Sequence, residues 1–137
     1  MVKSLVMLTM MFLIGAKVTS GWDEPAGFRD IPWGAPPATV KRALPDFSCS
    51  TTCSGHLMIG EIRVFTLIGF ETGGMNLVTL LFPANSFNKM KAIFIERYGQ
   101  PLLHHNETVQ NRMGAQFENE ILEWNGQKVV ILLKNIA

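Results

Sequence analysis

The chain has 137 residues, of which 47% are hydrophobic and 17% charged, with 12 lysines and arginines against 11 acidic residues. That length allows one folded core and not two, and the composition is too apolar for a disordered chain. The near-neutral charge lacks the basic footprint that nucleic acid or an anionic lipid surface would require.

Met1 to Ser20 reads as a cleavable signal peptide, followed by a single domain over residues 21–137. Lys3 supplies the positive start, and Ser4 to Ala16 is an uncharged run of 13 residues before Lys17. As a helix this run reaches about 20 Å, short of the ~30 Å hydrocarbon core of a bilayer. Small residues at Thr19, Ser20 and Gly21 suit cleavage after Ser20 or Gly21. No cysteine precedes Cys49, so no lipid-modified N-terminus is expected. Loss of Lys3 and Lys17 leaves ten basic residues against 11 acids, a formal charge of −1. The expected location is periplasmic or secreted, with no stable membrane insertion after cleavage.

Trp22 to Trp33, rich in Pro, Gly and acids, reads as an extended lead-in. Pro36 and Pro37 then suit the first turn of a helix reaching Leu44, where Pro45 stops it. The stretch Cys49-Ser50-Thr51-Thr52-Cys53 follows, and in an exported domain an even cysteine count reads as a disulfide between Cys49 and Cys53. Such a short loop contributes about 2 kcal/mol at best, a local staple. The competing reading adds His56, making C-x3-C-x2-H a soft-metal ligand set with His104 or His105 as a fourth donor. An oxidising compartment works against free thiols, so no metal or other cofactor is assigned.

Glu61 to Phe70 is β-branched and aromatic, with Ile62, Val64, Ile68 and Phe70 on one parity, which predicts a strand. Thr72-Gly73-Gly74 turns the chain into Met75 to Phe82, apolar on both parities like a central strand. Ser86 to Tyr98 is the clearest helix: Phe87, Met90, Phe94 and Tyr98 form one stripe, and Gly99 with Pro101 closes it. Leu102 to Asn119 is polar and reads as a loop with a short strand near its end. Ile121 to Trp124 and Gln127 to Leu133 flank Asn125-Gly126, which predicts a hairpin on a two-residue type I′ turn. That turn pairs Trp124 with Gln127, Glu123 with Lys128, Leu122 with Val129 and Ile121 with Val130. The order predicts an α+β domain: two αββ units forming a mostly antiparallel four-stranded sheet with two helices on one face.

In that arrangement Phe65, Leu67, Ile121, Val130 and Leu132 fall on parities that point away from the helices. An apolar outer sheet face is a surface for an envelope protein or for self-association. No nucleophile with a base, no carboxylate pair and no phosphate-cradling loop stands out, so no catalytic residue is assigned and the protein is not expected to be an enzyme. The functional expectation is a non-enzymatic extracytoplasmic binding module, with a metal-binding protein using Cys49, Cys53 and His56 as the alternative.

Phe28 to Leu44, FRDIPWGAPPATVKRAL, resembles the start of small exported bacterial proteins that open on Phe-Arg-Gly-Ile-x-Trp-Gly before a short helix, with Asp30 in place of the usual Gly. Their second half carries a helix ending in Tyr-Gly-x-Pro, matched by Tyr98, Gly99 and Pro101, and a Trp-bearing strand, matched by Trp124. The resemblance implies a bacterial periplasmic or secreted setting and no activity. The doubled αββ layout also resembles secreted β-lactamase-inhibitor-like domains, an analogy of fold alone.

Overall fold

In the computed structural model, which describes residues 5–12 and 22–136, strands dominate. They run in the order β1 (Leu5–Phe12), β2 (Gly27–Phe28), β3 (Ile31–Pro32), helix α1 (Pro37–Ala43), β4 (Ser48–Cys49), β5 (Cys53–Ile59), β6 (Ile62–Glu71) and β7 (Gly74–Pro83). A 3-10 turn at Ala84–Ser86 leads into helix α2 (Phe87–Tyr98), then β8 (Leu103–Gln110), β9 (Gln116–Asn125) and β10 (Val129–Ile136). β2 and β3 form a small ribbon, and the other eight strands make one sheet in the order β4-β5-β6-β7-β1-β10-β9-β8, antiparallel at every junction.

The four-stranded sheet of two αββ units is therefore incorrect. Each helix is followed by three long strands rather than two, and a further strand, β1, joins the two sets at the centre. The stretch after the cysteines and the polar stretch Leu103–Gln110 both pair as strands. β8 is exposed along nearly its whole length, so it carries no apolar alternation to reveal it. Its partner β9 supplies the ladder that holds it.

Leu5–Phe12, within the segment read as the signal peptide, is paired along its length with β7 on one side and β10 on the other. The cleavage positions Ser20 and Gly21, with Lys3 and Lys17, lie outside the described residues.

Cross-strand partners point to the same side of a sheet, so the registers sort every strand into two faces. On one face lie Ile62, Val64, Ile68, Val78, Leu80, Phe82, Met10, Leu122, Trp124, Ile131 and Leu133, all buried. Both helices cover this face. From α2, the Phe94 ring lies 6.3 Å from that of Trp124. Beyond α1, the Phe47 ring fills the space over Gly55, and Val40 is wholly buried.

The β6–β7 hairpin turns on Thr72 and Gly73 with φ of 53° and 80°, the left-handed pair that a two-residue primed turn demands. Gly accepts this geometry freely, whereas β-branched Thr72 is strained by it. Thr72→Asn is expected to stabilise the fold by about 0.5–1 kcal/mol, read as a rise in the urea midpoint at constant m-value.

The β9–β10 hairpin departs from its expected register. Leu122 pairs with Leu133, Glu123 with Leu132, Trp124 with Ile131 and Asn125 with Val130, which leaves Gly126 to Val129 to close the hairpin, the Gly126 amide donating to the Val129 carbonyl at 2.8 Å. Neither Asn125 nor Gly126 has the positive φ of a type I′ turn. The lead-in sets this loop: one carboxylate oxygen of Glu24 accepts the amides of Lys128 at 2.7 Å and Val129 at 2.8 Å. The Trp22 indole donates to the Asn125 carbonyl at 2.9 Å. Because both strands slip by an even number, each side chain keeps its expected face.

Candidate functional site

The opposite face carries Phe65, Leu67, Ile121, Val130 and Leu132 together, spread over three strands. Leu67 lies opposite Thr79, Thr79 opposite Thr9, Thr9 opposite Leu132 and Leu132 opposite Glu123, so one row crosses the sheet. A second row holds His56, Phe65 and Leu81, and on the far side Lys134, Ile121 and His105. A third holds Leu77, Met11 and Val130. Leu67 is 37% and Met11 39% exposed, while Phe65, Leu77, Leu81, Ile121, Val130 and Leu132 are half-buried. Polar groups border the patch, with exposed Arg63 and His56 towards β5, and Lys134 3.7 Å from Glu107 near β8.

Sequence reasoning missed Leu77, Leu81 and Met11. The first two sit on a strand that is apolar on both parities, so its outward side cannot be told without the register. Met11 lies within the segment read as a leader.

Cys49 and Cys53 face each other across the β4–β5 hairpin and are joined by a disulfide, with Cα atoms 4.1 Å apart. Cys53 points into the core and is wholly buried. His56, three residues on, takes the opposite face, where its ring lies 5.1 Å from Phe65. The C-x3-C-x2-H set thus does not converge on one point, because three residues along a strand reverse the side-chain direction. His104 and His105 stand on β8 at the other edge of the sheet, six inter-strand steps and roughly 29 Å from β5. Among the described residues, no group of three or more His, Cys, Asp or Glu side chains is placed to hold a metal ion.

His104 instead joins a small charged cluster on the helix side. One oxygen of Glu120 meets Lys91 Nζ at 2.9 Å and His104 Nε2 at 2.6 Å, tying α2 to β8 and β9. Partial burial works against the Glu120 charge, but the hydrogen bonds from Lys91 and His104 outweigh it and hold the carboxyl below its ordinary value of 4.5. A carboxyl whose pKa is lowered by folding stabilises the fold above the ordinary value and loses that contribution as pH falls through the folded value. Glu120→Gln is therefore expected to cost about 0.5–1 kcal/mol at pH 7, the scale of a partly exposed ion-pair network. In paired urea titrations the wild-type advantage should shrink as pH drops below about 4.5 and vanish once the folded carboxyl is protonated.

A cavity of about 660 Å³ opens at one end of the helix side. Its walls include Phe28, Ile31, Ile59, Ile93 and Phe94, and Met10 of β1 also borders it. Arg29, Asp30 and Arg97 supply its charges. Arg29 and Asp30 form the β2–β3 turn with φ of 50° and 65°, and the Arg29 guanidinium donates to the Met58 carbonyl. Asp is among the few residues that tolerate this backbone region, which accounts for its presence where a Gly would also serve. Beneath, Tyr98 stacks edge-on against Trp22 at 5.8 Å; burial raises its hydroxyl above the ordinary value despite the neighbouring Arg97.

No protein family, curated protein or solved structure matches this chain. Among the described residues, no helix is long and apolar enough to cross a membrane.

Proposed function

We propose that this chain is a non-enzymatic binding module exported to the bacterial periplasm or medium, which engages an envelope protein or a second copy of itself through the sheet face turned away from the helices. The observation that carries this is the apolar surplus on that face of the strands that export would leave: Phe65 and Leu67 on β6, Leu77 on β7, Val130 and Leu132 on β10, and Ile121 on β9. A solvated sheet face alternates polar residues at such positions, and apolar side chains gathered there gain free energy when a partner covers them. The disulfide Cys49–Cys53 is compatible with an oxidising compartment.

The test is a photo-crosslinking amino acid placed at Leu67 or Leu132 in cells making the full chain. A discrete adduct is expected at both positions and should disappear when Phe65 and Val130 are also changed to Glu. The same probe at exposed Glu96 on α2 should give none. Absence of adducts at Leu67 and Leu132, or equal adducts at Glu96, would overturn the proposal.

A further inference from the structure

We infer that, after loss of the leader, the sheet accepts an extended apolar segment of another exported polypeptide as a replacement central strand between β7 and β10. This rests on the export reading above. Leu5–Phe12 falls within the stretch that export would remove, yet it is the strand that joins the two halves of the sheet. It pairs from Leu5 with Pro83 to Met11 with Leu77 on one side, and from Leu5 with Ile136 to Phe12 with Val129 on the other. Without it, β4-β5-β6-β7 and β10-β9-β8 face each other across two strand spacings, roughly 10 Å.

Both inner edges then present unpaired backbone N–H and C=O groups in the middle of the molecule. Those groups must find partners, either each other or an incoming strand. The lead-in opposes direct closure, because it braces both halves. At one end Glu24 holds the amides of Lys128 and Val129 on the β10 side. At the other, Gly34 donates to the Met75 carbonyl at 2.9 Å and the Met75 amide to the Ala35 carbonyl at 2.8 Å, on β7. Helix α2 spans the gap as well, with Phe94 against Trp124 on β9 and Ile93 beside Gly60 at the β5–β6 turn.

The present occupant defines the chemistry of the next. Met10 is 2% exposed, opposite Val78 and Ile131, which are wholly buried, so the corresponding residue of a guest must be apolar. Met11, on the open face, is 39% exposed and leaves that position tolerant. The guest is thus an extended stretch of about eight residues, apolar at every second position, running antiparallel to β7 and β10. Main-chain pairing supplies affinity in such strand addition, and the inward side chains supply selectivity.

The experiment expresses the full chain with its own leader, recovers it from the periplasm, and measures its intact mass and amide exchange. The probe is a peptide of Ser4–Leu13 flanked by two lysines at each end. The expected result is a mass starting at Gly21 or Trp22, with rapid exchange at those amides of Val78–Phe82 and Val130–Leu133 that face the emptied slot, the alternate amides staying bonded to β6 and β9. Added peptide should slow exchange there at least about tenfold, and the same peptide carrying M10D should not. A leaderless chain that is unfolded alone and folds only with the peptide supports the inference equally. A mass that retains residues 5–12 overturns it, since the protein then fills its own slot. So does a leaderless chain already protected at the slot-facing amides of both segments, which reports direct closure, or one indifferent to the peptide. Slow exchange brought about by a second copy alone at rising concentration would overturn the foreign guest in favour of self-association. None of these outcomes depends on the crosslinking of Leu67 and Leu132, so failure of the slot and failure of the sheet-face reading remain separate results.

Discussion

Trp124→Ala is expected to lower the free energy of unfolding by about 4 kcal/mol, the largest effect of any single change proposed for this protein. The indole is 1% exposed and belongs to β9, beside Ile131 of β10. Its ring faces Phe94 of α2, and its N–H donates to the Gly99 carbonyl at 2.8 Å, where α2 ends. Truncation removes the largest buried side chain on the helix side of the sheet and also leaves the helix end without its tie. Trp124→Phe keeps most of the buried area and should cost only about 1–2 kcal/mol, for the lost hydrogen bond and the smaller ring. Urea unfolding followed by circular dichroism measures both. A loss below 1 kcal/mol for Trp124→Ala would mean that α2 is not anchored through this residue.

Gly55→Ala is expected to cost about 2–3 kcal/mol, although the change adds a single methyl group. A Cβ at position 55 would stand 2.5 Å from Cδ1 of Phe47, a ring that is itself 2% exposed and packed under the turn after α1. The ring has nowhere to retreat without opening the packing of Val40 and the β4–β5 hairpin. Gly69→Ala is the matching control, because its Cβ would meet only the Leu77 side chain, at 3.4 Å. A melting temperature that falls for both alike would show that strand propensity, and not the Phe47 contact, sets the requirement for Gly55.

These two positions also show where sequence reasoning succeeds and where it stops. The helix Ser86 to Tyr98 was legible because its apolar stripe of Phe87, Met90 and Phe94 meets one surface, and those three residues are the buried ones in α2. Strand β6 was legible for the same reason at period two: Ile62, Val64 and Ile68 alternate with outward residues. Thr66 shares their buried face, which a polarity pattern could not announce. Trp124 could be placed on a strand, but its partners at Phe94 and Gly99 lie 30 and 25 positions away.

Strands β5 and β8 escaped detection because neither has a strong pattern of its own. Gly55 leaves room for a ring from elsewhere, and β8 is an exposed edge whose pairing partner alone makes it a strand. The hairpin after Trp124 was visible in kind, while its register was decided by Glu24, about a hundred residues earlier in the chain.

For the candidate site the division is similar. Periodicity by itself determined which side chains share a face, so Phe65, Leu67, Ile121, Val130 and Leu132 could be singled out before any strand order was known. Adjacency of the cysteines along the chain likewise pointed to their pairing. Only the tertiary structure decided that those five residues lie in rows on one eight-stranded sheet, that His56 is turned away from Cys53, and that Leu5–Phe12 occupies the centre of the sheet. The physical reason is that side-chain direction along a strand is a local property of the backbone, whereas strand order depends on which distant edges find hydrogen-bond partners.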